Sequence, residues 1–392
     1  MLAFTFPGQG SQREGMGRPW TDHPSWELVE EASEASGRDV AELLLDADAE
    51  TLRSTENAQL TTYVLSMVVL DAVTRVGIDA SVAAGHSLGE YSALTAAGTL
   101  DFVDGIRLVD ERGRAMRSAA DQQAGTMAAV LGLEDERVEA ACSRVVGDVW
   151  AANYNAPGQV VIAGDPDAID EAGAIAKELG AKRSMALPVG GAFHTPFMAP
   201  ARDALAKALS EVELRAPSIP VVANVDALAH DSDEEWRGLL AAQLCSPVRW
   251  RQSLRTLSEM GVSTLVELGP GNALTGMAKR AVPDVRRVAV STPADVDALL
   301  QQLADDQPKV ARPENEGEHL FVTERLVVAT AAGIFRLAEG IESGASIGVG
   351  QPVGTINGDE VRSPFAGSVM GVMAVDGERV APSQPIAWLR TS

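Results

Sequence analysis

The chain has 392 residues, enough for two to three domains at a prior of roughly 150 residues each. It is 46% hydrophobic but only 4% aromatic, so its cores are expected to be aliphatic and alanine-rich. The formal charge of -23 argues against a binder of nucleic acid or of anionic membranes, both of which need a positive footprint; an acidic small substrate is still allowed, because one buried arginine can hold one carboxylate.

The first segment, Leu2 to Phe6, reads as a short buried strand entering the turn Pro7-Gly8-Gln9-Gly10-Ser11-Gln12. No basic stretch precedes it and its apolar run is too short for a signal peptide. Nothing along the chain approaches the ~20 apolar residues of a membrane span. Cys142 and Cys245 are far apart and sit in no metal or redox motif, which fits a reducing compartment. The expected location is the cytoplasm.

Helical patterns follow around 26–36 and 57–76. A small-residue strand at 81–84 leads into Gly85-His86-Ser87-Leu88-Gly89-Glu90, and two more helices follow, the second through 101–121. This alternation predicts a parallel α/β sheet. Residues 123–195 have their own rhythm, strand-helix-strand-strand-helix-strand, which is the ferredoxin-like order of a subdomain inserted into the larger unit. That larger unit then comprises 1–122 and 196–303, with helices near 199–211 and 233–244 and a strand ending at Gly269-Pro270-Gly271. Residues 304–319 have linker composition.

From 320 to 392 the pattern changes to short Val/Ile-rich runs separated by glycines. Val328 and Val361, Gly344 and Gly377, Ile347 and Val380, and Gln351 and Gln384 are each 33 residues apart, and Gly333 and Gly367 are 34 apart. Two similar β halves predict a pseudo-twofold β-sandwich.

Gly85-His86-Ser87-Leu88-Gly89 is a G-x-S-x-G between an expected strand and an expected helix. Its glycines permit a tight turn that lifts the serine hydroxyl out and aims the next backbone N–H at a developing oxyanion. The competing reading is a glycine-rich turn with an incidental serine. A nucleophilic serine needs a base. Of five histidines, His23, His230 and His319 lie in polar surroundings, and His86 diverges from its neighbour Ser87 on a tight turn. His194, in Gly190-Gly191-Ala192-Phe193-His194-Thr195-Pro196, is the candidate that remains, although a lone histidine is more often structural.

Six motifs in order resemble the malonyl-CoA:acyl-carrier-protein transacylase family over residues 1–303. They are Gly8-Gln9-Gly10-Ser11-Gln12, the Ser87 motif with Glu90, Arg112-Gly113 with Met116, Gly191-Ala192-Phe193-His194, Gln243-Leu244 with Pro247-Val248-Arg249-Trp250, and Gly269-Pro270-Gly271. The resemblance implies an α/β-hydrolase-like core and transfer of a malonyl group from malonyl-CoA to the phosphopantetheine thiol of a holo acyl carrier protein. It makes Ser87 the nucleophile and His194 its base, oriented by backbone carbonyls. It assigns the oxyanion hole to Gln9 and the Leu88 N–H, the substrate carboxylate to Arg112, and a supporting role to Gln243. By residues alone Arg112 reads as a solvated helix residue among Arg107, Glu111, Arg114 and Arg117. Phe193 before the histidine resembles relatives that take malonyl over methylmalonyl units, a distinction worth only ~1–3 kcal/mol. No metal or cofactor is expected, and the chain is expected to act as a monomer in fatty-acid or polyketide synthesis. A serine hydrolase or thioesterase sharing the elbow, and a scaffold with a vestigial site, are the competing classes.

Carrier proteins are acidic. With 12 acidic and 7 basic residues after 304, the tail carries -5 of the -23 and leaves -18 on the remainder, so docking would need a local basic patch. Arg249, Arg251, Arg255, Lys279 and Arg280 are candidates, with scattered surface charge as the alternative for each. The tail itself resembles a biotinyl/lipoyl-like domain. Its expected hairpin, Ile356-Asn357-Gly358-Asp359-Glu360, has no lysine where carriers place theirs.

Overall fold

In the computed structural model, which describes residues 1–306 and 324–390, the opening apolar run forms strand β1 (Leu2–Phe6), buried along almost its whole length. Contacts divide the chain into two units, Met1–Pro308 and Lys309–Ser392. The other strands of the first unit are, in chain order, β2 (Val82–Gly85), β3 (Thr126–Leu131), β4 (Val149–Ala156), β5 (Gln159–Gly164), β6 (Arg183–Ala186), β7 (Val221–Val222), β8 (Ala229–His230), β9 (Thr264–Leu268) and β10 (Arg286–Val290).

Six of these make one sheet in the order β10-β9-β1-β2-β7-β8, and every pairing is parallel except the terminal β7–β8. The central strands β2 and β9 are buried at every residue, because helices cover both faces of a parallel sheet. One of those helices, Thr55–Arg75, buries 16 of its 21 residues. It crosses the helix Phe102–Gln122 closely at Gly113, where a Cβ would stand 2.8 Å from the Glu56 Cα. That approach turns Arg112 inward, so it is only 1% exposed.

The segment after Phe102–Gln122 forms a second sheet, β4-β5-β3-β6, with all pairs antiparallel. Its two helices, Asp135–Arg144 and Pro166–Glu178, share a separate core with Val130, Val138, Ile162 and Ile169. This strand order is the ferredoxin-like one.

Several elements differ from the sequence reading. Strand β2 runs to Gly85. The helices Trp250–Glu259 and Ala273–Ala281 and the short strands β7, β8 and β10 are additional to the elements expected from the sequence, although Trp250, Leu254 and Leu257 recur at helical spacing and are buried. The helix Pro293–Asp306 takes in the first three residues assigned to a linker, because Leu299, Leu300 and Leu303 continue its apolar face against the core. The remainder of that segment, 307–319, lies outside the described residues.

The second unit consists of β11 (Glu324–Val328), β12 (Gly333–Leu337), β13 (Ser346–Ile347), β14 (Pro352–Ile356), β15 (Asp359–Arg362), β16 (Gly367–Val372), β17 (Arg379–Val380) and β18 (Pro385–Arg390). They form two sheets, β11-β18-β16-β13 and β15-β14-β12-β17. Exchanging β11 with β15, β12 with β16, β13 with β17 and β14 with β18 converts one order into the other. The 33-residue spacing is therefore a pseudo-twofold, and each sheet takes two strands from each half. Phe335, Val353, Val369, Ile386 and Leu389 fill the space between them. The hairpin β14–β15 turns at Asn357 (φ 53°) and Gly358 (φ 97°), the paired positive φ values of a type I′ turn. The Asn357 side chain accepts from Ile334 N at 3.0 Å and donates to Ala332 O at 3.1 Å, which ties the turn down.

Candidate active site

β2 ends at Gly85 and the next helix, Gly89–Ala96, begins four residues later. A side chain on Gly85 would overlap the Gly89 carbonyl, and one on Gly89 would overlap that of Phe6. Only glycine lets strand, turn and helix approach this closely. Between them Ser87 takes φ 53°. A left-handed serine costs on the order of 1–3 kcal/mol and persists only where the surroundings enforce it.

His194 is also left-handed, at φ 61°. Its Nε2 lies 2.7 Å from Ser87 Oγ and its Nδ1 lies 2.9 Å from the Gln243 carbonyl oxygen. A carbonyl only accepts, so Nδ1 carries the proton and Nε2 offers its lone pair to the serine hydroxyl. Burial, and then the Arg112 charge, push the imidazole pKa down to about 3. The ring is therefore neutral at any working pH, as a proton acceptor must be.

Arg112 donates through Nη1 to Gln59 Oε1 at 2.6 Å, and through Nη2 to Gln243 Oε1 at 2.9 Å and to Ser87 Oγ at 3.2 Å. Its guanidinium stands over the Tyr91 ring, 5.5 Å from the centroid, and its Nε has no hydrogen-bond partner among the described residues. No carboxylate among those residues forms an ion pair with it. A buried cation hydrogen-bonded only to neutral groups is suited to receive an anion.

Gln243, itself fully buried, donates through Nε2 to Ser87 O at 2.9 Å and to Glu90 Oε2 at 2.6 Å. Asn224 completes the frame. Its Oδ1 accepts from Ser87 N at 2.7 Å, its Nδ2 donates to Gly85 O at 2.7 Å, and its own backbone N donates to Glu90 Oε1 at 2.6 Å.

A cavity of ≈ 170 Å³ opens over Ser87 and His194. Gln9 and Phe193 line it together with Met116, Met127, Leu187 and Val189. Leu88 is the N-cap of the helix after the elbow and is buried. Arg112 and Gln243 reach this space through their contacts with Ser87 and His194.

The acyl transferase domain family matches residues 3–321. The malonyl CoA-acyl carrier protein transacylase of Escherichia coli (strain K12) is 41% identical over 307 residues, which span 76% of this chain and 99% of that protein. The chain belongs to the malonyl CoA-acyl carrier protein transacylase family. Among solved structures of the family, the acyl carrier protein S-malonyltransferase of Vibrio cholerae is 43% identical, with a TM-score of 0.73, over 76% of this chain and 99% of that one. A malonyl-transacylase solved in complex with a type II polyketide acyl-carrier protein is 40% identical, with a TM-score of 0.75, over 77% and 99%. The described strands of the β unit, from Glu324 on, lie beyond the matched family domain.

Four residues around this transacylase site have no role in the sequence reading. Glu90 is part of the elbow motif, but nothing in the sequence says that both its oxygens are used. Asn224 follows a two-residue strand too short to recognise; its signal is its place at the carboxyl end of a parallel strand beside β2, where α/β sheets gather ligands. Gln59 sits in a helix that is buried on nearly every side around it. Asn155 Oδ1 lies 2.8 Å from His86 Nε2, which ties that ring away from Ser87. His230 is on strand β8, between Asp226 and Glu235.

Of the basic candidates, Arg251 is paired with Asp135, with Nη1 3.0 Å from Oδ1, and is an internal bridge between the two subdomains instead of a free docking charge. Arg280 bonds Gln159. Among the described residues no helix is long and apolar enough to cross a membrane, and no cluster of His, Cys, Asp or Glu could hold a metal.

Proposed function

We propose that this chain transfers malonyl groups from malonyl-CoA to the phosphopantetheine thiol of a holo acyl carrier protein through an ester on Ser87. The observation that carries this reading is the buried Arg112, bonded only to neutral side chains and 3.2 Å from the same Ser87 Oγ that meets His194. An acyl group attached to that oxygen has its far carboxylate within reach of the guanidinium, which can exchange a glutamine for two parallel bonds to the anion.

In the first half-reaction His194 Nε2 takes the Ser87 proton as Oγ attacks the thioester carbonyl. Gln9 and the Leu88 N–H serve the oxyanion; losing one such donor typically costs ~10²–10³ in rate. Collapse expels CoA, and His194 returns the proton to its sulfur. In the second half-reaction the carrier thiol gives its proton to His194 and attacks the ester, and Ser87 leaves and is reprotonated. The Gln243 carbonyl takes the orienting place an acid holds in a triad. Phe193, on the cavity wall, crowds an α-methyl group and favours malonyl over methylmalonyl. Supplying malonyl-CoA and a holo carrier protein together tests the reading, because a hydrolase would leave free malonate instead of a loaded carrier. A cytoplasmic location goes with this function, supported by free thiols at Cys142 and Cys245.

For the β unit we propose a biotinyl/lipoyl-like module that carries no prosthetic group. The support is the exchange of strands between its half-repeats, and a hairpin whose tip is Asn357-Gly358 where carriers have lysine. The intact chain is expected to show neither biotin nor lipoyl mass. A chain ending after Asp306 is expected to stay folded and to keep transfer activity at saturating carrier protein, since every proposed catalytic group precedes residue 250. Insolubility of that truncation, or loss of its Ser87 adduct, would make the β unit integral to the transferase.

A further inference from the structure

Arg112 meets Ser87 Oγ directly, and one glutamine ties it to both Ser87 and His194. Gln243 gives its backbone carbonyl to His194, its Oε1 to Arg112 and its Nε2 to the Ser87 carbonyl. A glutamine amide can sit either way round, and only one orientation presents oxygen to the guanidinium. What fixes that orientation is Glu90, in the first turn of the helix Gly89–Ala96 and fully buried. An ionised carboxylate only accepts, and its two oxygens receive the Asn224 N–H and the Gln243 amide, each at 2.6 Å.

We propose that Glu90 is a positioning residue for substrate selection: it locks the Gln243 amide with its oxygen toward Arg112 and thereby sets the guanidinium for the substrate's carboxylate. The inference rests on the reading of Ser87 as nucleophile and Arg112 as carboxylate site.

With glutamine at 90, an N–H must face either the Asn224 N–H or the Gln243 amide. The first is a donor against a donor. The second turns Gln243 round, so that its NH₂ meets Arg112 and the Ser87 carbonyl loses its donor. Protonating Glu90 does the same. Burial raises its pKa to about 7; the bonds from Asn224 and Gln243 and the charge of Arg112 pull it down, and Asp226 pushes it up. These are the groups that face it, from the segment after β7, the helix Trp236–Gln243 and the helix Phe102–Gln122. The sign follows: as pH falls through about 7, Glu90 gains a proton and the grip on malonyl loosens, while His194 stays neutral.

The test compares wild type and Glu90→Gln with malonyl-CoA and acetyl-CoA from pH 5.5 to 8.5. Glu90→Gln should lower kcat/KM for malonyl-CoA about ten- to a hundredfold, chiefly through KM, as loss of a hydrogen bond to a charged group does. Acetyl-CoA, which has no carboxylate to grip, should lose clearly less, only what the missing donor to the Ser87 carbonyl costs both substrates. The acid limb near pH 7 should appear in the wild type with malonyl-CoA and vanish in Glu90→Gln. Adding Glu90→Gln to Gln243→Met should cost nothing further, because the effect runs through Gln243. Equal losses on both donors, or an unchanged acid limb, would overturn the proposal. If Glu90→Gln does not fold, the wild type decides: a limb with malonyl-CoA alone supports it, and the same limb with both donors overturns it. A wild type that forms no Ser87 adduct fails the underlying reading; one that forms it while Glu90→Gln keeps its donor preference fails this inference alone.

Discussion

Ser87→Ala is expected to abolish the covalent adduct that malonyl-CoA leaves on the wild type and to lower transfer by at least about 10⁴-fold, to near background. Wild type incubated with malonyl-CoA alone should hold a malonyl mass on the peptide containing Ser87, since water is a poor second acceptor in this site. The physical reason is that no other hydroxyl among the described residues shares this geometry. Ser87 is held at φ 53° by the Asn224 bond to its N–H and the Gln243 bond to its carbonyl, with a neutral imidazole 2.7 Å from its oxygen. Removing Oγ leaves that frame intact, so the variant should fold and still bind donor. An adduct on another peptide, or an equal adduct in Ser87→Ala, would place the nucleophile elsewhere.

Arg112→Ala is expected to cost about 2–5 kcal/mol with malonyl-CoA, roughly 30- to several-thousand-fold in kcat/KM, the range for truncating one partner of a buried charge pair. Acetyl-CoA should lose far less, within about tenfold, so the preference between donors should collapse. Arg112→Lys keeps the charge but not the fork, and should recover only part of the malonyl rate. The comparison of two donors is the informative quantity, because the variant also strips Gln59 and Gln243 of a partner and so lowers stability. Equal losses on both donors would make Arg112 a structural cation.

These two residues were unequally legible. Ser87 announces itself through flanking glycines, and the structure gives the steric reason for them. His194 was reachable by elimination among five histidines, helped by the glycines and proline that shape its loop. Arg112 was not reachable from residues alone. Its helix carries Arg107, Glu111, Arg114 and Arg117, a pattern that reads as solvated, and only the close crossing at Gly113 turns its guanidinium inward. Glu90 and Asn224 were harder still, since their significance lies in bonds across 134 residues of sequence. The fold was more legible where periodicity is strong, as in the ferredoxin-like subdomain and the 33-residue spacing of the tail. It was least legible where strands are two residues long, as β7 and β8 are, or where a polar stretch continues a helix, as at 304–306.

The central claim is that the malonyl group passes from CoA to serine to carrier thiol. Intact-mass measurement of a holo acyl carrier protein, incubated with malonyl-CoA and a catalytic amount of this protein, tests it most directly. The account predicts that the carrier gains one malonyl mass at its phosphopantetheine, with many turnovers per molecule of wild type and none above background with Ser87→Ala. Free malonate with an unloaded carrier, or loading that persists in Ser87→Ala, would contradict it.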